Sequence, residues 1–230
     1  AIDHLVKMRE YVDIIIPRGG KNLIEKINSQ SSIPVIKHLD GICHIYIDNY
    51  ADMDKAKKVL FNSKMRRPEI CGATETLLID QRIKDYALTL LKPLIEASCQ
   101  IRGDKYIQSL HKNFVLASEQ DWSTEYLDKI LSVKIVDGLE GAIQHINKYS
   151  SGHTEAIITE NSSNFITFYK NIDSAIILQN ASTQFADGGE FGFGAEIGIS
   201  TDKLHVRGPV GTEHLTSFKY IVKGNGHERS

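Results

Sequence analysis

Cysteine is scarce in this sequence, which has only three among its 230 residues: Cys43, Cys71 and Cys99. Their number is odd, they lie far apart, and no two of them form a C-x-x-C pair. This pattern argues against a disulfide framework and against a structural zinc site. A reducing compartment is therefore the expected location.

Long apolar runs and an excess of one charge are also lacking. No uncharged stretch approaches the ~18 residues that span a bilayer, and the first residues, AIDHLVKMREYVD, lack the apolar segment of a signal peptide. The 27 basic and 29 acidic side chains leave a net charge of −2, which provides no basic surface for nucleic acid or for an anionic membrane. We therefore expect a soluble cytoplasmic protein that binds neither of them.

Strand and helix patterns alternate along the chain. Apolar, β-branched runs predict strands at 12–16, 34–37, 42–47, 75–79, 130–136, 155–159 and 174–179. Amphipathic runs predict helices at 21–27, at 53–64 after the N-cap Asp52, at 83–97 with a kink at Pro93, and at 138–149. This order indicates βαβ units and therefore an α/β fold with a largely parallel sheet.

Two later segments have patterns of their own. Residues 185–200 contain five glycines and predict a close-packed irregular loop. Residues 217–224, SFKYIVKG, alternate like an edge strand that could pair with another subunit. A domain boundary is expected near residues 65–70.

Cys71 is the candidate with the most suggestive surroundings. It follows Pro68 at a predicted turn, where Arg66 and Arg67 could lower the pKa of the thiol and the turn could expose it. A thiolate at such a position attacks acyl carbon and forms a thioester. Buried cysteine is common in protein cores, so a structural role remains the alternative, and we assign Cys43 and Cys99 to the core.

The other candidates are less specific. The turn Arg18-Gly19-Gly20-Lys21 joins a predicted strand to a helix and could hold a phosphate, but it matches neither G-x-x-x-x-G-K-[ST] nor G-x-G-x-x-G and is equally compatible with a simple tight turn. No H-x-x-x-H pair points to a metal. From residues alone, one hypothesis is a Cys–His hydrolase or acyltransferase that pairs Cys71 with His38 or His153. The remaining candidate bases are His44, His145 and His205.

Several ordered stretches together resemble one family, γ-glutamyl phosphate reductase, a branch of the aldehyde dehydrogenase superfamily. They are IIIPRGG, IPVIKHLDGICHIYID, RRPEICGATETLL, DWSTEYLDKILSVKIVD, AIQHINKYSSGHTEAIIT, QFADGGEFGFGAEIGISTDKLHVRGPVG and FKYIVKGNG. The resemblance covers the chain but only the C-terminal half of the family. It implies an aldehyde dehydrogenase-like fold: the second half of a Rossmann-like NADP-binding domain at 1–67, an α/β catalytic domain with a parallel sheet at 68–204, and a return and oligomerisation strand at 205–230. The last strand, around Phe218 to Val222, would join subunits of a homo-oligomer.

The resemblance further implies NADPH-dependent reduction of L-glutamyl 5-phosphate to L-glutamate 5-semialdehyde and phosphate, a step of proline biosynthesis. Cys71 falls on the family's nucleophile and would form a thioester. The implied cofactor residues are Arg18, Gly19, Gly20, His38 and Glu125, and the implied lining of the glutamyl pocket is His153 and Thr154. His38-Leu39-Asp40-Gly41 stands where hydrolytic superfamily members have E-L-G-G, and loss of that glutamate would keep water from the thioester.

The chain also departs from the family pattern. Glu69 and Gly72 stand where the family usually has glycine and asparagine, and the charge of Glu69 should raise the pKa of the Cys71 thiol. The family's N-terminal half, which supplies the first part of the cofactor domain, does not align with this chain. An alternative hypothesis is therefore a catalytically inactive remnant, which would bind NADPH poorly.

Overall fold

The computed structural model describes residues 1–38 and 40–229, and seven strands of this part form one sheet in which all neighbours are parallel, in the order β4-β3-β5-β2-β1-β6-β7. The strands are β1 Cys43–Ile47, β2 Thr74–Asp80, β3 Gln100–Gly103, β4 Val115–Leu116, β5 Ile130–Val136, β6 Thr154–Ile158, β7 Ile176–Gln179, and an antiparallel pair of β8 Ile199–Ser200 with β9 Gly208–Pro209. The helices are α1 Ile2–Leu5, α2 Lys21–Gln30, α3 Met53–Met65, α4 Ala87–Glu96, α5 Lys105–Ser109, α6 Gly138–Tyr149 and α7 Ser162–Asn171. The predicted α/β fold with a parallel sheet is confirmed.

The central strands are buried on both faces, as crossover helices require in a parallel sheet. Side chains of alternate residues point to opposite faces, so Ile45 and Ile47 pack under α3 and α4 while Tyr46 packs with residues of α6 and α7. The continuous apolar character of β1 follows from this double burial. Two separate hydrophobic cores thus fix the sheet from either side.

Local signals set the helix boundaries. Asp52 Oδ1 accepts hydrogen bonds at 2.9 Å from the backbone N–H groups of Asp54 and Lys55, so the predicted N-cap of α3 is confirmed. The helix predicted at 83–97 is interrupted at Ile83, where the backbone is non-helical, and becomes α-helical only from Ala87. It continues through Pro93, where the kink was expected.

The two strands predicted before β1, at 12–16 and 34–37, are wrong as strands. Residues 12–16 and 34–37 meet only through a single parallel bridge between Ile15 and Val35. Residues 217–224 form no strand in the described structure, and the side chains of this tail are among the most exposed: Tyr220 is 86% and Val222 90% accessible. An alternating sequence becomes a strand only beside a partner strand, and within the single described chain the tail has none. Pairing with another subunit stays a prediction.

The boundary predicted between residues 67 and 68 lies between β1 and β2, which are hydrogen-bonded neighbours. The domain division stays a prediction, although at that position it would run through one sheet. No described helix is both long and apolar enough to cross a membrane.

The two edges of the sheet differ in chemistry. At the carboxyl edge, the Tyr46 hydroxyl donates to Asp48 at 3.2 Å and to Asp80 at 2.9 Å, and the Thr159 hydroxyl donates to Asp48 at 2.6 Å. These groups satisfy one another, and Arg82 pairs with Asp80 from the surface. At the amino edge, the chain enters β2 through the turn that holds Cys71.

Candidate active site

Cys71 lies in the turn that leads into β2. The turn is closed by a hydrogen bond of 2.9 Å from the Ala73 N–H to the Ile70 carbonyl. Cys71 is partly exposed, whereas Cys43 and Cys99 are buried. The assignment of the latter two to the core is confirmed, and Cys71 is the cysteine that a solute can reach.

Cys71 borders a cleft of about 530 Å³, a volume in the range of small-molecule sites. Four of the residues predicted to contact the cofactor line the same cleft: Arg18, Gly19, His38 and Glu125. Gly20 does not line it. The remaining lining residues are Glu69, Ile70, Leu127, Glu196, Ile197, Gly198 and Ile199. Residues from five separate segments of the chain therefore line the cleft.

Glu125 is held in the cleft by backbone contacts. Its Oε1 accepts a hydrogen bond of 2.8 Å from the N–H of Gly41, which precedes β1. Two residues later, the Leu127 N–H donates to Glu75 of β2 at 3.2 Å, and Leu127 itself has a positive φ of 52°. The loop that carries Glu125 is thereby tied to the amino edge of the sheet.

The electrostatic surroundings of Cys71 differ from the sequence-based expectation. Burial raises the pKa of the Cys71 thiol to about 11, the charges of Glu125 and Glu196 add to this rise, and Arg18 opposes it. The expectation that Arg66 and Arg67 lower this pKa is wrong, since the Arg66 guanidinium turns to Gln184 at 3.3 Å. The carboxylates that contribute most to the rise are Glu125 and Glu196, not the sequence neighbour Glu69.

Two of the five candidate histidines lie beside Cys71. One donor atom from each of His38, Cys71 and His153 lies within 4.8 Å of the other two. The rings of His38 and His153 meet edge to face, with centroids 5.1 Å apart. Burial lowers the pKa of both, that of His153 to about 3, so both imidazoles are neutral near pH 7.

His153 and Thr154 are fully buried, and His153 Nδ1 lies 2.8 Å from the Thr154 hydroxyl and 3.5 Å from the Cys43 sulfur. Their predicted role in a glutamyl pocket stays a prediction, because neither lines the cleft in this structure. Of the other histidines, His44 pairs with Glu155 inside the sheet, His145 packs against Trp122, and His205 is exposed.

The turn at Arg18 to Gly20 can accept an anion. Gly20 is the N-cap of α2, and no side chain caps the first turn of this helix, although the Leu23 N–H donates to the Gly20 carbonyl at 3.0 Å. Gly19 has a φ of 145°, which favours glycine. The Arg18 guanidinium lies so close over Gly198 that a β-carbon there would clash with it. The turn therefore presents the positive charge of Arg18 and the start of α2 to an anion.

Sequence reasoning missed Glu196. It lies in the glycine-rich segment, where its Oε2 accepts a hydrogen bond of 2.8 Å from the Gly188 N–H. Burial raises its pKa. No local sequence pattern indicates a functional role for Glu196. Its carboxylate lies near Cys71 only because the glycine-rich segment folds back onto the cleft.

No family model matches the chain. A γ-glutamyl phosphate reductase of Paramagnetospirillum magneticum is 54% identical over 230 residues, which are 100% of this chain and 54% of that protein. The crystal structure of γ-glutamyl phosphate reductase from Thermotoga maritima has a TM-score of 0.94 and 44% identity, and covers 100% of this chain and 56% of the other.

A more distant structure, an acetylating aldehyde dehydrogenase from Geobacillus thermoglucosidasius, has a TM-score of 0.74 at 20% identity over 100% of this chain and 60% of that one, and it shares the fold. The chain spans about half the length of the curated relatives that it matches. Along its whole length, the chain is similar in sequence to about half of each of these γ-glutamyl phosphate reductases.

Proposed function

We propose that this chain is the cysteine-bearing, C-terminal part of an enzyme that reduces L-glutamyl 5-phosphate to L-glutamate 5-semialdehyde and phosphate with NADPH, in the cytoplasm and on the path to proline. The observation that carries the proposal is the partly exposed Cys71 thiol at a cleft that also presents Arg18 and Glu125. The identity to reductases of that name supports the substrate class.

The reaction begins with the sulfur of Cys71. The thiolate attacks the acyl carbon of the mixed anhydride, a carbon–sulfur bond forms, and the carbon–oxygen bond to phosphate breaks. When bound, NADPH would supply the hydride that reduces this thioester. The resulting thiohemiacetal then collapses, which releases the aldehyde and restores the sulfur of Cys71.

Activation of Cys71 requires removal of its proton when substrate binds, because a thiol with a pKa near 11 is protonated at neutral pH. Arg18 is the cleft residue whose charge favours the thiolate. Glu125 and Glu196 are the nearby carboxylates that can take the proton, and the raised pKa of Glu196 brings it closer to the range of a general base.

Arg18, Gly19 and Gly20 are proposed to hold a phosphate of the cofactor, and Glu125 and His38 to face its nicotinamide end. At the position of the hydrolytic glutamate of other superfamily members stands His38, whose pKa is lowered by burial; the next residue of that motif, Leu39, lies outside the described residues. Loss of that glutamate removes the base that would activate water, which protects the thioester from hydrolysis.

The Cys–His hydrolase remains a second candidate because His38 and His153 lie beside Cys71. Against it, neither histidine is oriented by a carboxylate in the described contacts, and both pKa values are lowered. A hydrolase of this kind needs an imidazole that readily takes the thiol proton. It would release acid from acyl esters without any nucleotide, whereas the reductase would not.

The proposal is tested by the reverse reaction: semialdehyde-dependent reduction of NADP in the presence of phosphate, followed at 340 nm. The assay is run with this chain alone, and with a separately expressed polypeptide that corresponds to the unmatched half of a homologous reductase. Activity only in the mixture, abolished by Cys71→Ser, is the expected result. No activity in either case would favour the inactive remnant. Binding of NADPH to the chain alone is measured separately by fluorescence titration. A dissociation constant in the low micromolar range would contradict the view that half of the cofactor site is missing.

A further inference from the structure

We infer that His38, Cys71 and His153 form a binding site for a thiophilic divalent cation such as Zn²⁺, and that its occupation blocks the Cys71 sulfur. The site is composed of one sulfur and two imidazoles whose donor atoms lie within 4.8 Å of one another. The three residues come from the segments that precede β1, β2 and β6, which are adjacent strands in the sheet.

Two nitrogens of this cluster are buried and have no partner. His38 Nδ1 and His153 Nε2 make no hydrogen bond, although neither is open to solvent. His153 is completely buried, so its unpartnered nitrogen is a costly arrangement unless something binds there. An unpartnered, buried imidazole nitrogen in a residue beside a thiol is a ready ligand for a soft cation.

The other nitrogen of His153 is already oriented. Nδ1 lies 2.8 Å from the Thr154 hydroxyl and 3.5 Å from the Cys43 sulfur. Metal-bound histidines are typically held in this way, with one ring nitrogen fixed by a neighbour and the other directed at the ion. Thr154 and Cys43 would therefore act as positioning residues for the ligand.

The donor set and the access route both suit zinc. Zinc binds sulfur at about 2.3 Å and imidazole at about 2.0 Å, which places neighbouring ligands about 3.5 Å apart. The cluster must contract by roughly 1 Å to reach this spacing, and His38 can supply the movement because it lies outside any helix or strand. Cys71 and His38 both line the cleft, so an ion can enter from solvent.

Binding is an acid–base exchange without a change of oxidation state. The S–H bond of Cys71 breaks, the proton passes to solvent, and a zinc–sulfur bond forms. Zinc binding then competes with acylation and with alkylation of the same sulfur. This inference goes beyond the proposed reductase activity, and its test does not depend on that activity.

The test measures the rate at which iodoacetamide labels Cys71 in the 230-residue chain, by peptide mass spectrometry, with Zn²⁺ at 0–100 micromolar and again after EDTA. We expect at least tenfold protection that EDTA reverses, and a near-ultraviolet thiolate-to-metal absorption band when Co²⁺ replaces Zn²⁺. His38→Asn and His153→Asn should each raise the half-protecting concentration at least tenfold. His205→Asn, at an exposed histidine with positive φ that asparagine tolerates, is the matched control.

Circular dichroism of each variant establishes that the fold is retained. If His153→Asn does not fold, His38→Asn decides the question, since His38 lies in irregular backbone. The inference would be overturned if Zn²⁺ did not protect Cys71 in the unaltered chain. It would also be overturned if Zn²⁺ protected Cys71 equally in the unaltered chain and in the folded histidine variants. In the second case the sulfur binds the ion without the imidazoles.

Discussion

Gly41 and Cys71 touch through their main chains. A β-carbon on Gly41 would lie 2.7 Å from the α-carbon of Cys71 and closer still to its carbonyl oxygen. The same Gly41 donates its N–H to Glu125. One residue without a side chain therefore sets the spacing between the candidate nucleophile and a cleft carboxylate.

Replacement of Gly41 by serine should destabilise the chain by about 2 kcal/mol or more, because backbone atoms rather than a flexible side chain must move. The free energy of unfolding is measured by urea denaturation, together with the labelling rate of Cys71. Gly20→Ser is the matched control: a β-carbon at Gly20 meets nothing within 4 Å, and serine is a good N-cap. Equal stability of the two variants would show that the turn adjusts freely.

Glu125→Gln should make Cys71 more reactive. Glutamine keeps an oxygen that accepts the Gly41 N–H but removes a negative charge that raises the pKa of the thiol above its ordinary value. The pH–rate profile of iodoacetamide labelling should move to lower pH, with a severalfold higher rate at pH 8. Arg18→Gln should move the profile the other way. The control is Glu213→Gln at an exposed site, and an unchanged profile in both cleft variants would contradict this account of the charges.

Asp121 should contribute stability that depends on pH. Burial alone would raise its pKa, but hydrogen bonds from Arg102, Ser118 and Tyr126 lower it well below its ordinary value. The contacts from Arg102 and from the Tyr126 hydroxyl are both 2.7 Å. Because the folded pKa is the lower one, this stabilisation is complete above the unfolded value near 3.9 and is lost as the pH falls toward the folded value.

Asp121→Asn should therefore cost about 2 kcal/mol at pH 7 and progressively less below pH 4. Denaturation curves at several pH values measure this difference. Asp128→Asn, at an exposed position in the same loop, serves as the control and should change little. A loss at pH 7 that persists undiminished at pH 2.5 would mean that the asparagine acts by altered packing rather than by lost charge.

The tail should join subunits. Phe218, Tyr220 and Val222 are exposed and share one face if the segment is extended. Removal of residues 217–230 should turn an oligomer into a monomer without lowering the free energy of unfolding of the single chain. Sedimentation velocity measures the change, and removal of residues 225–230 alone is the control. A chain that is monomeric with its tail intact would end the homo-oligomer proposal.

The sequence predicted the elements whose signals are local. Helix α3 has its cap at Asp52 and its apolar spacing within one segment, and strands β1, β2 and β5 are apolar runs. Strand β3, QIRG, and helix α7, SSNFITFYKN, were missed because neither pattern is strongly apolar or amphipathic. Strand β3 is defined by pairing with β5, and α7 by the Asn161 cap and the buried Phe168. Residues 12–16 and 34–37 show the opposite error, since their patterns are strand-like but they meet only through one bridge between Ile15 and Val35.

For the site, the sequence predicted Cys71 and four further residues of the cleft lining: Arg18, Gly19, His38 and Glu125. The predicted lowering of the thiol pKa by Arg66 and Arg67 was wrong, because Arg66 turns away to Gln184. The carboxylates of Glu125 and Glu196, which help to raise this pKa, come from segments 54 and 125 residues further along the chain. Electrostatic effects on a thiol depend on distances across the fold, and no spacing in a sequence reports them.

The network of Tyr46, Asp48, Asp80 and Thr159 closes the edge of the sheet that most parallel-sheet proteins leave open for ligands. Strands β1 and β2 separate it from the cleft by about 16 Å, roughly five residues of extended chain. Rigidity and thiol reactivity therefore reside at opposite ends of the same strands. Substitutions that stabilise the carboxyl edge of the sheet and substitutions that change the reactivity of Cys71 can therefore be made almost independently.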